Sequence, residues 1–206
     1  MPTVDLHVHS SHSNKPYSWF LRSGGAAECY TAVDEVYTTA RRRGMDLVTL
    51  ADHDTIDGAL ELCARHPGDT FVSVEISARF PDDGCIVHVI AIDLTEAQHR
   101  ELQVLRRSIY ELAAYLHAQQ IAHFWCHPLS QVNGRLTRAH LEQCFLMFKA
   151  IEVRNGTRDT AHERRLIEIT DRFTPALLES WAHLYPRAPW HNRAARWARV
   201  GGSDDH

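Results

Sequence analysis

The stretch Met1-Pro-Thr-Val-Asp-Leu-His-Val-His-Ser-Ser-His-Ser13 decides how the rest of the chain is read. Thr3 to Val8 alternates polar and apolar side chains, a strand pattern, and the hydroxyl-rich run behind it is a loop pattern. Residues two apart on a strand share a face, so Asp5, His7 and His9 point one way while Val4, Leu6 and Val8 point the other. Two imidazoles beside a carboxylate on one face can hold a divalent cation without backbone strain. An isolated His-x-His pair is as often a solvated polar face, so the remainder of the chain has to decide.

Working outward, six further apolar segments read as strands: Asp46 to Ala51, Thr70 to Ile76, Cys85 to Ile92, Ile121 to Cys126, Lys149 to Arg154 and Ala198 to Gly201. Helical periodicity is expected over Glu28 to Arg43, Thr55 to Arg65, Thr95 to about Gln120, Thr137 to Phe148, Asp159 to Arg172 and Thr174 to Leu184. Tyr185 to Trp197, rich in Pro and Trp, has no clear pattern. The short link between the third and fourth strands predicts a hairpin or a bent corner. Strand–helix alternation with no repeat predicts one α/β domain over 1–206, built on a parallel-rich sheet that forms a barrel or a doubly wound layer. His7, His9, His53, Glu75, His127, Asp204 and His206 fall on these strands or just past their carboxyl ends, and His88 falls within one. In α/β barrels that rim is where active sites are built.

Composition narrows the classes. The 206 residues are 44% hydrophobic and 23% charged, as in ordinary globular proteins. A net charge of −4 gives no general nucleic-acid or membrane surface. No run of about 18 apolar residues predicts a membrane span. Asp5 and three histidines stand where a signal peptide would be basic and then apolar. The five cysteines, Cys29, Cys63, Cys85, Cys126 and Cys144, are scattered and lack a Cys-x-x-Cys pair, which predicts reduced, mostly buried thiols and a cytoplasmic location. Histidine is the outlier, with 15 residues.

The ligand-type residues are His7, His9, Asp52, His53, Glu75, His88, His127, Asp204 and His206. One tetrahedral ion needs only three or four. The set suits two or three divalent ions that share a bridging carboxylate, with Glu75 as the natural bridge. Nitrogen and oxygen donors without thiolate suit zinc, manganese or iron. Cys126 is expected to point away from His127, into the core.

Asp5-Leu-His-Val-His-Ser10, Ala51-Asp-His-Asp54, Val74-Glu-Ile76, His88-Val89, His127-Pro128 and Gly202-Ser-Asp-Asp-His206 resemble, in order, the successive motifs of the PHP (polymerase and histidinol phosphatase) family. The resemblance spans nearly the whole chain. It implies a distorted seven-stranded (β/α) barrel, a di- or trinuclear metal centre and phosphoesterase activity. It also implies metal-ligand roles for His7, His9, His53, Glu75, His88, His127, Asp204 and His206, with Glu75, His88 and Asp204 acting in catalysis. Two departures stand out. The family commonly has an acidic ligand in the loop after the first motif, where this chain has Asn14 and where His12 is the available substitute. Similar proteins also continue past the last motif, so the natural protein is expected to extend beyond His206.

The resemblance implies a small phosphorylated substrate. Lys15 and Arg22 in the first long loop, and Arg154 and Asn155 after the sixth strand, are the expected substrate-binding residues. Arg135 and Arg158 are weaker candidates, and Trp19 and Phe20 could stack on a ligand or pack against the barrel. Asp52, Asp54 and Asp205 are candidates to orient histidines, and no general acid is assigned. Three other readings compete. An oligonucleotide phosphodiesterase or exonuclease would use the same ions but would want a more basic groove. An amidohydrolase-type enzyme also opens with His-x-His but usually needs a barrel lysine, which the fifth strand lacks. A metal-stabilised regulatory module without activity is the third. Nothing in the sequence sets an oligomeric state.

Overall fold

The computed structural model describes residues 2–13 and 29–206. Among them, seven strands and seven helices alternate. Strand β1 (Val4–Asp5) is followed by α1 (Val33–Arg42), β2 (Leu47–Val48), α2 (Asp57–Arg65), β3 (Ser73–Arg79) and β4 (Ile86–Ile92). Then come α3 (Glu96–Leu105), α4 (Ile109–Ala118), β5 (Ala122–Trp125), α5 (Arg138–Met147), β6 (Ala150–Asn155), α6 (Thr160–Asp171), α7 (Pro175–Leu184) and β7 (Ala198–Gly202).

The expected closed barrel is not what these strands form. They divide into a two-stranded parallel sheet, β1-β2, and a five-stranded sheet in the order β3-β4-β5-β6-β7. In the larger sheet, β3-β4 and β4-β5 pair antiparallel, whereas β5-β6 and β6-β7 are parallel. Isolated bridges span the two gaps between the sheets, Val8 to Asp205 at one and Val48 to Thr70 and His53 to Glu75 at the other. On the β1–β7 side a side chain takes the backbone donors: the Asp5 carboxylate accepts the N–H groups of His7 (3.2 Å) and Ser203 (3.0 Å). A satisfied N–H has no need of a neighbouring strand.

The helices end where local chemistry ends them. Thr95 and Gln98 form a capping box at the start of α3, which satisfies two otherwise orphaned donors. The single long helix expected from Thr95 to Gln120 is broken. The Arg106 carbonyl accepts the Arg79 N–H at 2.9 Å, its guanidinium reaches Asp54 at 2.8 Å, and Ser108 caps the new helix α4. Asp34 and Glu35 open α1 and Arg41 and Arg42 close it, as the helix dipole favours.

In the main core Val74, Ile76, Val87 and Val89 of β3 and β4 cluster with Leu112 and Leu116 of α4 and Phe145 and Leu146 of α5. A second cluster ties α1 and α2 to β2 through Val33, Val36, Val48, Leu50 and Leu62. A small third cluster, Ala51, Ile90, Phe124 and Cys126 with Leu6 and Val200, draws on both sheets and so fills the space between them. Each fully buried aliphatic side chain contributes roughly 1.5–3 kcal/mol before entropy is counted. All five cysteines are free thiols. Among the described residues, no helix is long and apolar enough to cross a membrane.

Candidate metal centre

The centre is organised by Glu75, which sits on β3 with no solvent exposure. One carboxylate oxygen, Oε2, faces His53 Nδ1 at 2.9 Å, His9 Nε2 at 3.3 Å and His7 Nε2 at 3.5 Å. The other, Oε1, faces His88 Nδ1 at 2.8 Å and His127 Nε2 at 3.1 Å. Asp204, just past β7, adds Oδ1 at 3.1 Å from His7 Nε2, 3.3 Å from His206 Nε2 and 3.6 Å from His9 Nε2. All eight residues expected as ligands therefore meet in one place. They arrive from both sheets because a strand of either one ends at this rim.

The fit to divalent cations can be read from the donors themselves. His7 Nε2, His9 Nε2, His88 Nδ1 and Glu75 Oε2 are buried and make no hydrogen bond, although they face one another. Buried polar atoms without partners are costly and rare, and here they converge. Ligand atoms lie within 4.8 Å of one another in several sets of three: His9, His53 and His206; His7, His127 and Asp204; His7, His9 and Glu75; His53, Glu75 and His88. The overlap of these sets at His7, His9, His53 and Glu75 suits more than one ion. Nitrogen and carboxylate oxygen are the donor set of zinc, manganese and iron sites.

Hydrogen bonds behind the ligands set which nitrogen each ring offers. His7 Nδ1 lies 2.8 Å from Glu152 Oε1; a carboxylate only accepts, so Nδ1 carries the proton and Nε2 turns a lone pair to the cluster. Ser13 Oγ donates to Asp52 at 3.1 Å and lies 3.0 Å from His9 Nδ1. Its one proton is spent on Asp52, so His9 Nδ1 must donate to it, which again leaves Nε2 bare. Outer partners of this kind orient metal-binding imidazoles.

The electrostatics follow from burial and proximity. Burial works to raise the Glu75 carboxyl, but His53, His88 and His7 hold it well below the usual carboxylate range. Asp204 is likewise lowered: burial opposes, and His206, His7 and His9 prevail. Burial depresses His9 to about 3 and also lowers His88. Burial pulls His7 down too, but the surrounding Glu75, Asp204 and Glu152 carboxylates push it well above its ordinary value. Concentrated carboxylate charge with too few protons to balance it is what bound cations would neutralise.

Two ligand candidates occupy the left-handed region of backbone space, His127 at φ 28° and Asp204 at φ 54°. Such strain costs of order 1–3 kcal/mol per residue and persists only where surroundings fix it. Here the His127 N–H is held by Glu152 Oε2 at 2.8 Å, and the Asp204 N–H by the His7 carbonyl at 2.7 Å. Cys126 lies in the core as expected, on the same face as Phe124, but not apart from His127: the turn at His127 brings that ring to the same side, and the Cys126 sulfur lies within 4.8 Å of the Glu75 and His127 ligand atoms. Burial, with Glu75, Glu152 and Asp204 nearby, raises its pKa well above the ordinary thiol value.

A cleft of about 580 Å³ opens onto the cluster, with His53, His88, His127, Asp204 and His206 on one side and Leu129 to Val132, Arg158 and His162 on the other. Of the expected substrate-binding residues, Lys15 and Arg22 lie outside the described residues, as do Asn14, Trp19 and Phe20. Arg154 does not reach this cleft; its side chain is 80% exposed, 4.0 Å from Glu163, beside a separate groove. Asn155 is buried and holds Glu152 and Asp204, each at 2.9 Å, which makes it a support for the ligands. Arg135 contacts the Asp83 carbonyl. His12 pairs with Glu61 at 3.0 Å and belongs to none of the ligand sets. Asp54 accepts from the Ser77 N–H and Arg106, and Asp205 contributes its carbonyl to the His9 N–H at 3.1 Å.

The sequence reading passed over Glu152, Ser10, Ser13 and His162. Glu152 had a signal: it is an acid in the middle of the apolar run Lys149 to Arg154, but it shares parity with Arg154 and so reads as part of a solvated face.

No protein-family model matches the chain, and no curated protein matches its sequence. Solved structures do resemble it. One, from Bifidobacterium adolescentis and named as an inferred metal-dependent phosphoesterase, superposes with a TM-score of 0.56 at 16% identity, covering 100% of this chain and 89% of its own. An amidohydrolase from Chromobacterium violaceum, solved with sulfate and no metal, gives 0.56 at 14% identity, covering 99% and 87%. A two-domain Bacteroides vulgatus protein containing a predicted PHP-like metal-dependent phosphoesterase gives 0.52 at 18% identity, covering 100% of this chain and 52% of its own. At these identities the likeness is one of fold: the chain has a mixed α/β architecture like that of solved proteins named as metal-dependent phosphoesterases and as an amidohydrolase.

Proposed function

We propose that this protein is a metal-dependent phosphoesterase of the PHP type that hydrolyses a small phosphomonoester. The observation that carries the reading is Glu75, whose two oxygens divide five histidines into two sets at 2.8–3.5 Å. His7, His9, His53, Glu75, His88, His127, Asp204 and His206 would hold two or three divalent ions. Ions so placed lower the pKa of a water and neutralise charge on a phosphoryl group.

The chain's own residues do the rest. Glu152 and the Asp52–Ser13 pair keep the His7 and His9 lone pairs aimed inward. Asn155 anchors Asp204. Arg158 lines the cleft beside the ligands, which makes it the candidate for holding a substrate anion. The cleft of about 580 Å³ admits a small metabolite.

The test is turnover of generic phosphomonoesters with added manganese or zinc, set against an oligonucleotide diester. Monoester turnover that disappears in Glu75→Ala and His9→Ala supports the reading. Turnover of the diester alone would favour a nuclease, and turnover of neither would exclude both.

A further inference from the structure

One titratable side chain in the cleft has no task among the ligands. His162 stands in the first turn of α6, where the N-cap Asp159 accepts its backbone N–H at 2.8 Å. Its ring lines the cleft together with His127, Arg158 and Asp204. The Nε2 atom is screened from solvent and makes no hydrogen bond within the described residues.

The other cleft groups are committed elsewhere. His53, His88, His127, Asp204 and His206 belong to the ligand sets. Asp54 is held by the Ser77 N–H and Arg106, each at 2.8 Å. Arginine does not release its proton at any ordinary pH, so Arg158 cannot serve as an acid. The charged neighbours of His162 are Arg158 and Asp159 before it, Arg165 on its own helix and His127 across the cleft. Burial first, then Arg158, lowers its pKa, so the imidazolium is a minority form at neutral pH and each one gives up its proton readily.

We propose that His162 is the catalytic acid that protonates the leaving oxygen. The proposal rests on the phosphomonoesterase reading above. Water bonds to phosphorus through its oxygen, releasing one of its protons to solvent, as the bond from phosphorus to the alcohol oxygen breaks. The electron pair of that bond goes to the alcohol oxygen, which takes the proton from the His162 imidazolium. The neutral ring regains a proton from solvent before the next turnover. Rotation about the ring torsion offers either nitrogen to the cleft, since such terminal torsions are broad.

The experiment compares two esters in the metal-loaded protein, His162→Gln and His162→Ala. Glycerol 2-phosphate has an alkoxide leaving group that needs a proton, and p-nitrophenyl phosphate has one that does not. Both variants should lose about 100-fold or more in kcat/KM on glycerol 2-phosphate and less than about 5-fold on p-nitrophenyl phosphate, the signature of a lost general acid. Metal content and thermal midpoint should stay as in the parent. Equal losses on both esters, no loss on either, or loss of metal in both variants would each overturn the assignment. No turnover of either ester by the parent would remove the phosphoesterase reading, and this proposal with it.

Discussion

Glu152 Oε1 lies 2.8 Å from His7 Nδ1, while Oε2 of the same carboxylate holds the His127 backbone N–H at 2.8 Å. One buried side chain on β6 thus sets the ring of a ligand candidate just past β1 and the backbone of another that follows β5. Glu152→Gln presents an NH₂ group to one of these donors and cannot satisfy both. Metal affinity should fall about 10- to 100-fold in Glu152→Gln and at least as far in Glu152→Ala, read by competition with a chromogenic chelator. An unchanged affinity would show that the rings hold their places without this carboxylate.

A second expectation concerns Gly202. A Cβ built there would stand 2.3 Å from His7 Cβ and 3.0 Å from Glu152 Oε1. Gly202→Ala should cost about 1–3 kcal/mol in chemical denaturation, as overpacking does, and should weaken metal binding by displacing His7. Gly68 meets nothing within 4 Å and has no positive φ, so Gly68→Ala serves as the control and should stay within about 0.5 kcal/mol. Equal behaviour of the two variants would contradict the crowding described at Gly202.

Away from the centre, His191 stacks on His117 with centroids 3.9 Å apart. Burial, then His117, Lys149 and His123, depress its pKa from 6.5 to about 4. The folded value is the lower one. Between pH 6.5 and 4 the unfolded chain therefore binds a proton that the folded chain does not, and stability falls as pH falls through that window. His191→Gln should flatten this part of the stability–pH curve and leave the region above pH 7 unchanged. A slope identical to the parent's would refute the assignment.

Chelation should destabilise the protein. Cations that bind only the folded chain at 100 times their dissociation constant add about 2.7 kcal/mol. Thermal melts with and without a strong chelator should differ by several degrees, and the difference should shrink in Glu75→Ala in step with the ions it loses. A chelator-insensitive midpoint in the parent would mean that no ion is held.

Much of this was legible in the sequence because ligand chemistry and strand periodicity reinforce each other. The parity of His7 and His9, and the placing of His53, His127 and Asp204 just past strands, follow from local pattern alone. What the pattern could not show arises from long-range competition for backbone groups. Asp5 takes donors that a closed barrel would have paired, and Arg106 leaves a helical run to reach Asp54. Cys126 is in the core as read, but its nearness to His127 was hidden because a positive φ at His127 is invisible to alternation. Glu152 was missed because its burial depends on His7, which is 145 positions away. Lys15 and Arg22 remain expectations from the sequence.

The most direct check on the whole account is the metal content of the purified, gel-filtered chain after incubation with manganese and zinc, measured by elemental analysis beside Glu75→Ala. Two or more divalent ions per parent chain, falling to one or none when the shared carboxylate is removed, is the predicted result. A parent chain that emerges without stoichiometric metal would mean that the eight converging side chains serve some other end.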